Sequence, residues 1–432
     1  MSEAPAGREA LVALAEEEFV RRTGRRPEWR WHVPGRIEIF GKHTDYAGGQ
    51  SLLAAVPRGF AVVAAPRRDD DLRVIDARHH DEVLIAANDT ESRRGWVNYA
   101  AVTVRRLARN FPGLPLGTDI AIASDLPRAA GVSSSSALVV GLATALIRRS
   151  GASLRTDWRD QITSPEDLAW YLGCVENGLT YKSLAGTAGV GTHGGSQDHT
   201  AIIGCKAEHV SHFRFMPVER VSDTRMPDGW TFVILSSGVH ADKAGSVRER
   251  YNRASLAVRA LVSIWQRETG STNPSLSSAL ASAPDAEQRL LDALPRVPVA
   301  DFSVADLERR LSQLSRELAR VPLAAEAFAR ADEQTIGELT RGSQADAETL
   351  LGNQIHETCA LARLAYDHGA FAASGFGAGF GGSVWALAPT DDAEAFATRW
   401  RDAYVVACHP TGVVESFTCR PSAAVTEILP FT

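Results

Sequence analysis

Four consecutive serines follow a turn of small residues in the stretch LPRAAGVSSSSALVVGLATAL, from Leu126 to Leu146. Small residues such as Gly131 let backbone N–H groups approach an anion, and the N-terminus of the predicted apolar helix adds roughly half a positive charge. The hydroxyl groups of Ser133, Ser134, Ser135 and Ser136 can cap this helix or bind phosphate oxygens and Mg²⁺, which prefers oxygen ligands. The pattern predicts a phosphate cradle, with an ordinary helix start as the alternative.

A second group of reactive side chains lies in the segment RIEIFGKHTDYAGG, directly after a strand predicted from its alternating isoleucines. Lys42, His43 and Asp45 place an ammonium, an imidazole and a carboxylate within four positions on a glycine-flanked loop. A polyol needs such a mixture of donors and acceptors, because each buried hydroxyl left unpaired costs about 1 to 3 kcal/mol. The loop therefore predicts a polyol site, and a solvated polar turn is the alternative.

Two carboxylates flank a glycine-rich segment in the middle of the chain. Glu176 lies on a predicted helix, and Asp198 follows the glycines of residues 186–195, where a loop is expected to meet an apolar strand. Loops held by a rigid scaffold often position catalytic groups, which makes Asp198 a candidate. Aspartate is also common at turns and helix caps, so a structural role is the alternative.

Five glycines stand close together in SGFGAGFGGSVWALAP: Gly375, Gly377, Gly379, Gly381 and Gly382. Glycine permits a tight turn or a close backbone approach. We expect this segment either to close the phosphate site from a second domain or to form a turn between a helix and a strand.

The elements that must position these residues can be predicted from periodicity. Leu11, Leu14, Ala15 and Phe19 share one face of an opening helix that should end near Gly24. The segments GFAVVAAP, DLRVIDA and EVLIAA predict short antiparallel strands, WVNYAAVTVRRLARNF a helix and LGTDIAIAS a strand leading to the cradle.

Length and composition bound the function. Because single cores stop growing near about 250 to 300 residues, a chain of 432 residues predicts two domains with a cleft between them. A net charge of −6 with interspersed signs argues against a nucleic-acid partner. The five scattered cysteines indicate reduced thiols, and the acidic N-terminal segment lacks the apolar core of a signal peptide. We expect a cytoplasmic protein with no membrane partner, as a monomer or weak homo-oligomer.

The three segments, in this order, resemble the GHMP small-molecule kinases and, among them, the galactokinases. PGRIEIFGKHTDYAGG resembles the galactokinase signature, LPRAAGVSSSSAL the phosphate motif and FGAGFGGS the third motif. The resemblance implies an α+β, two-domain fold with an N-terminal mixed sheet with helices, a ferredoxin-like C-terminal domain and an active site in the cleft. We place the domains at residues 1–222 and 223–432.

The resemblance also implies roles for individual residues. Arg36 and Asp198 match the family's catalytic pair, and His43 and Asp45 match sugar-binding positions. Ser135 matches the serine that meets Mg²⁺, and Glu176 is the candidate metal carboxylate. The remaining candidates for binding the phosphates of ATP are Gly131, Ser133, Ser134, Gly377 and Gly379.

Some positions depart from the family pattern. Galactokinases have Glu at the position of Lys42, beside the C6 hydroxyl of the sugar, and Gly at the positions of Ala129 and Ala130. The segment around Arg248 lacks a tyrosine that galactokinases place against the sugar. Lys42 and Arg248 could together bind a C6 carboxylate, since arginine suits bidentate carboxylate binding.

The resemblance predicts an ATP- and Mg²⁺-dependent sugar 1-kinase with galactose as its acceptor. A uronic-acid kinase acting on galacturonate is one alternative, and a catalytically silent sensor of sugar and nucleotide is another. Phosphorylation of mevalonate or homoserine is disfavoured by the HTDY loop.

Overall fold

The structure, a computed structural model, describes residues 7–89, 91, 93–127, 131–239 and 245–428. The helices are α1 (Arg8–Thr23), α2 (Trp96–Asn110), α3 (Ser134–Ser150), α4 (Thr156–Arg159), α5 (Pro165–Asn177), α6 (Gln197–Gly204), α7 (Gly245–Thr269), α8 (Leu276–Leu280), α9 (Ala286–Ala293), α10 (Val304–Arg330), α11 (Glu333–Asp346), α12 (His356–Asp367) and α13 (Ala393–Cys408). The strands are β1 (Trp29–Phe40), β2 (Gln50–Pro66), β3 (Asp71–Asp76), β4 (Asp81–Ala86), β5 (Thr118–Ser124), β6 (His209–Arg214), β7 (Glu219–Arg225), β8 (Trp230–Ser236), β9 (Ala372–Gly375), β10 (Ser383–Pro389), β11 (Ser416–Cys419) and β12 (Thr426–Glu427).

The N-terminal half contains a mixed sheet built around the long strand β2. Its main path is β12-β1-β2-β5-β3-β4, and the hairpin of β6 and β7 joins it through β2. The predicted strands are present, but β3 lies parallel to β5 instead of antiparallel to β2. The long excursion through α2 between β4 and β5 allows this parallel pairing, which a short turn would not.

Helix α3 packs its apolar residues against this sheet and is the helix predicted after the phosphate cradle. The side chains of Leu138, Val139, Leu142 and Leu146 are buried in the main core. Gly141 lets the helix approach the sheet, because a Cβ at this position would lie 2.9 Å from a methyl group of Val62. The N-terminus of α3 is thereby fixed at the end of the sheet.

The C-terminal half contains a second, antiparallel sheet. Its strand order is β11-β8-β10-β9, with helices between β8 and β9 and α13 between β10 and β11. Numbered from β8, this is the order 4-1-3-2 of a β-α-β-β-α-β arrangement, so the predicted ferredoxin-like character is confirmed. The intervening α7 to α10 form a helical layer with its own core.

The two halves meet along β1 and are joined again at the end of the chain. The chain leaves the first sheet at Arg225 and enters the second at Trp230, so the predicted boundary at 222/223 falls inside β7. Strand β12 then returns to pair with β1. The indole Nε1 of Trp385 on β10 donates to the carbonyl of Glu38 on β1 (3.0 Å). A simple division into consecutive domains therefore omits the returning C-terminal strand.

Two local predictions are corrected. Asp198 lies in the first turn of α6 and not before a strand, because the apolar run around Ala201 and Ile202 forms a buried helix. Gly375 belongs to β9, so the glycine-rich turn joins two strands instead of a helix and a strand. Short apolar runs suit either element, which explains both errors.

Candidate active site

A polar pocket lies where β1, the loop after it, the N-termini of α3 and α6 and the glycine-rich turn converge. About 470 Å³ of space, part of it open to solvent, lies between the residues that line it. Its described lining comprises Arg36, Glu38, His43, Asp45, Tyr46, Ser136, Glu176, Asn177, Thr192, Gly194, Gly195, Gln197, Asp198, His199, Tyr251, Gly377 and Ala378.

Arg36 and Asp198 form an ion pair in the centre of this pocket. Arg36 Nε donates to Asp198 Oδ1 (2.8 Å), and a terminal nitrogen lies 2.7 Å from the same oxygen. The Arg36 side chain is 3% exposed and that of Asp198 18%, so the carboxylate retains access to the pocket. The other terminal nitrogen of Arg36 donates to the carbonyl of Gly131 (2.5 Å). One guanidinium thus links the aspartate to the predicted phosphate cradle.

The hydroxyl that faces the pocket from α3 belongs to Ser136. Ser136 Oγ donates to Glu176 Oε2 (2.9 Å) and lies 3.5 Å from Asp198 Oδ2. Ser135, the serine expected to meet the metal, is not among the described residues that line this pocket, whereas Ser136 is. Adjacent residues on a helix point about 100° apart, so one position decides which hydroxyl faces inward. His199 was also missed; its Nε2 lies 3.1 Å from Glu176 Oε2.

The phosphate cradle lies between the start of α3 and the glycine-rich turn. Gly131 has φ +76°, and a Cβ there would lie 3.3 Å from the carbonyl of Phe376. Ser133 precedes the helix with φ 65° and makes no side-chain cap hydrogen bond. Its buried Oγ has no hydrogen-bond partner among the described residues. Free N–H groups at a helix start and an unpaired hydroxyl suit phosphate oxygens. Ala129 and Ala130 lie outside the described residues.

The glycines of the third motif have different surroundings. Gly377, with φ +76°, reaches the cradle, because its Cβ would lie 2.9 Å from the carbonyl of Gly131. Gly379 packs on Asn353, whose carbonyl would lie 2.3 Å from an added Cβ. The close approach of Gly379 is therefore explained by packing. Phosphate contacts of Gly379 and Ser134 stay predictions.

The predicted polyol loop supplies one wall of the pocket. His43 Nδ1 is 2.9 Å from Tyr46 Oη, and the Asp45 carboxylate accepts from the backbone N–H of Gln197 (3.1 Å). Burial raises the pKa of Tyr46 to about 12, so its hydroxyl stays protonated. Gln197 immediately precedes Asp198, so this contact fixes the loop relative to the central aspartate.

Lys42 lies outside the pocket, contrary to the expectation that it contacts the substrate. Its side chain is buried, and Nζ donates to Ser343 Oγ on α11 (2.7 Å). Ser343 Oγ in turn donates to Glu317 on α10 (3.0 Å). Burial lowers the pKa of Lys42, and the nearby carboxylate of Glu317 opposes that shift. The loop directs the Lys42 side chain towards α10 and α11. Its ammonium group therefore belongs to a buried polar cluster with Ser343 and Glu317 in the C-terminal half.

Arg248 is exposed and lies against Gly191, whose added Cβ would lie 3.2 Å from the guanidinium. It does not appear in the described lining, and its contact with the substrate stays a prediction. Tyr251, one turn further along α7, lines the pocket instead, with its ring centre 5.4 Å from that of His43. Burial raises the pKa of Tyr251 well above its ordinary value. The sequence analysis missed this tyrosine although it lies only three residues from Arg248.

Glu38 is another pocket residue that the sequence analysis did not identify. It lies two residues after Arg36, and alternate residues of a strand share a face. Burial raises the pKa of Glu38 to about 7, although Arg36 and Lys42 oppose the shift. The spacing from Arg36 was a signal that could have identified it.

The charges of this pocket are mostly negative. The described lining contains one guanidinium, from Arg36, and the four carboxyl groups of Glu38, Asp45, Glu176 and Asp198. Such a site attracts a cation and repels an anionic acceptor. Ser136, Glu176 and Asp198 present oxygen atoms, the donors that Mg²⁺ prefers. No cluster of three or more His, Cys, Asp or Glu that could hold a metal ion occurs in the described part of the chain, so a cation here would also need phosphate or water oxygens.

Models of three protein families match the chain. The galactokinase galactose-binding signature matches residues 17–66, the GHMP kinase N-terminal domain residues 98–163 and the GHMP kinase C-terminal domain residues 324–406. The first includes Arg36 and the polyol loop, the second the phosphate cradle and the third the glycine-rich turn. The fold is that of the GHMP kinases.

Similar proteins narrow the class. A galactokinase of Chloroflexus aurantiacus is 28% identical over 403 residues, which cover 92% of each chain. A galactokinase of a Roseiflexus species is 43% identical over 129 residues, which cover 29% of this chain and 32% of the relative. The structure of Lactococcus lactis galactokinase complexed with galactose superposes with a TM-score of 0.78 at 20% identity, covering 97% of this chain and 100% of that one. The mevalonate kinase of Methanococcus jannaschii gives 0.55 at 13%, over 91% and 98%. The chain is similar to the galactokinases among the GHMP kinases.

Proposed function

We propose that this protein transfers the terminal phosphoryl group of ATP to the anomeric hydroxyl of galactose, giving galactose 1-phosphate. The observation that carries the proposal is the double contact of Arg36, which binds both Asp198 and the carbonyl of Gly131. It brings a candidate base to the boundary between the polyol loop and the phosphate cradle. The galactose-binding signature and the galactokinases among the relatives support galactose as the acceptor.

The residues of the pocket suit the needs of phosphoryl transfer, which depends mainly on positioning and on charge neutralisation. Asp198 accepts the proton of the anomeric hydroxyl as that oxygen attacks phosphorus. Arg36 orients this carboxylate and stabilises the negative charge of the transferring group. His43, Asp45 and Tyr251 bind the sugar and exclude water from the reacting atoms.

ATP and Mg²⁺ fit the site by the chemistry of the groups present. Ser133, Gly131 and the start of α3 would hold the phosphates, since they offer an unpaired hydroxyl and free N–H groups. Ser136 and Glu176 would hold Mg²⁺ through oxygen. When bound, the metal ion neutralises charge on the phosphate oxygens.

The pocket lining does not favour an acceptor that carries a carboxylate, such as a uronic acid. Lys42 and Arg248 do not line the pocket, and the carboxylates that do line it would repel a uronic acid. Galactose, which is uncharged, is compatible with this lining.

An acceptor screen tests the proposal. The purified protein is incubated with ATP, Mg²⁺ and a panel of hexoses that includes galactose and galacturonate, and ADP formation is followed. Galactose should raise ADP formation above the background without sugar, and galacturonate should not. If sugar binds but no sugar raises ADP formation, the protein is a silent sensor and not a kinase.

The isosteric variant Asp198→Asn provides the matched control for the screen. It should lower turnover by roughly 10² or more, because a positioned acid–base group commonly contributes 10² to 10⁴. Galactose affinity, measured without ATP, should change far less because the polyol loop is intact. Near-normal turnover in the folded variant would show that Asp198 is structural.

A further inference from the structure

Glu38 is held rigidly at the wall of the pocket. It is 2% exposed, and its carbonyl accepts from the indole of Trp385, which ties this point of β1 to the second sheet. Arg36 lies on the same face two residues earlier. Glu38 therefore lines the same pocket as Arg36.

One of the two oxygens of the Glu38 carboxyl group accepts a hydrogen bond from the protein. Oε2 accepts from Gln197 Nε2, and the Gln197 carbonyl is fixed in turn by Ser51 Oγ (2.7 Å). Oε1 is buried and has no hydrogen-bond partner among the described residues. A buried acceptor without a donor is unfavourable, and such an atom in a pocket indicates a missing ligand. Burial raises the pKa of Glu38 to about 7, against the opposing effect of Arg36.

We propose that Glu38 binds the acceptor sugar directly, with Oε1 accepting a hydrogen bond from one of the ring or exocyclic hydroxyls. This inference rests on the proposed function, because it assigns a recognition residue within that same site. It also narrows the acceptor to polyols that present a donor to a carboxylate, and excludes those with a carboxylate at that position. Recognition of that hydroxyl then comes from strand β1 and not from the ammonium of Lys42.

A series of deoxy sugars tests this assignment. Galactose and its 2-, 3-, 4- and 6-deoxy analogues are compared with the wild type and with Glu38→Gln and Glu38→Met, at pH 8. Two readouts are taken for each pair: the sugar Kd without ATP and kcat/KM with ATP and Mg²⁺. Thermal unfolding reports whether each variant is folded. Lys42→Met is included to test the alternative that the buried ammonium of Lys42, and not Glu38, recognises the sugar.

One deoxy analogue should bind the wild type about ten- to hundredfold more weakly than galactose, as expected for a hydrogen bond to a charged group. Glu38→Gln should reduce this penalty to less than about tenfold, and Glu38→Met should abolish it. The other deoxy analogues should show the same penalty in all variants, and Lys42→Met should retain the wild-type profile.

Three results would overturn the inference, and they are distinguishable. If the penalty of every deoxy analogue is unchanged in both Glu38 variants while the wild type phosphorylates galactose, Glu38 does not contact the sugar and the proposed function stands. If the wild type neither binds nor phosphorylates galactose, the proposed function fails and the role of Glu38 fails with it. A penalty that moves with Lys42→Met instead would assign recognition to Lys42.

Discussion

At the scale of the single residue, Glu38 also makes the stability of the protein depend on pH. Its pKa is about 7 in the folded protein and its ordinary value is 4.5, so between these values the folded state holds a proton that the unfolded state releases. Stability from this group is fully present below about pH 4.5 and is lost as the pH rises through 7. Glu38→Gln removes this dependence.

The free energy of unfolding of Glu38→Gln should therefore rise relative to that of the wild type between pH 5 and pH 8. The relative gain is on the order of 2 kcal/mol, from about 1.4 kcal/mol per pKa unit. Chemical denaturation of both proteins at several pH values measures it. A difference that stays constant over this range would show that Glu38 titrates near its ordinary pKa.

Single residues also show where prediction from sequence succeeds and where it stops. The resemblance selected Arg36 and Asp198, which the structure brings into contact across 162 positions of sequence. It failed for Lys42, because the direction of a loop side chain depends on partners such as Glu317 that lie far along the chain. Tyr251 was not predicted, because the sequence alone does not determine which residues of a helix face the pocket.

At the scale of elements, the start of α3 distinguishes two neighbouring serines. Ser136 is 1% exposed and contacts Glu176, whereas Ser135 is half-buried and outside the described pocket lining. Ser136→Ala should lower kcat/KM for Mg²⁺·ATP about tenfold or more, since it removes an oxygen from the candidate metal site. Ser135→Ala is the matched control and should change it little. Equal effects of the two substitutions would contradict this assignment.

Helix α10 fixes the polyol loop from the C-terminal half. Its side chains Arg310, Gln313 and Glu317 lie on one face, at intervals of three and four residues. Arg310 donates to the carbonyl of His43 (2.7 Å) and Gln313 to that of Lys42 (3.2 Å). Glu317 accepts from the backbone N–H groups of Gly41 (2.9 Å) and Lys42 (3.2 Å). This face was not predicted, because buried polar residues on a helix have no apolar periodicity.

Glu317 and Lys42 should be coupled energetically. Burial favours the neutral form of Glu317, but Lys42, the N–H of Gly41 and Arg320 outweigh it and lower the pKa. Each of Glu317→Gln and Lys42→Met leaves a buried charge without its partner, which typically costs about 3 to 5 kcal/mol. The double variant should be destabilised less than the sum, by about 1 to 3 kcal/mol. Denaturation midpoints of the four proteins measure this, and strict additivity would refute the coupling.

At the scale of the whole molecule, the sequence predicts the two sheets better than it predicts where the two halves of the chain begin and end. The motif order predicted both halves, and the sheets confirm them. The return of β12 to β1 was not predicted, because a two-residue strand has no detectable periodicity. No helix in the described part of the chain is long and apolar enough to span a membrane. Cytoplasmic location, weak or absent self-association and the lack of a nucleic-acid partner stay predictions.

The active site lies where the two halves touch, and Gly377 is one of the residues at that contact. A Cβ at this position would lie 2.9 Å from the carbonyl of Gly131 and 3.5 Å from a terminal nitrogen of Arg36, and its φ of +76° disfavours any side chain. The carbonyl cannot easily retreat, because Arg36 already binds it. Gly377→Ala should therefore push the glycine-rich turn away from the phosphate cradle and displace Arg36 from Asp198.

We expect Gly377→Ala to lower kcat/KM for ATP at least tenfold, because both the phosphate cradle and the position of Arg36 change. Galactose affinity should fall less, because the polyol loop follows β1 and is held by α10. Gly229→Ala is the matched control: nothing lies within 4 Å of its added Cβ, so activity and stability should stay near wild type. Steady-state kinetics with ATP varied at saturating galactose measures the effect. If Gly377→Ala keeps wild-type ATP kinetics, the glycine-rich turn does not close the phosphate site, and the phosphates must be held by the N-terminal half alone.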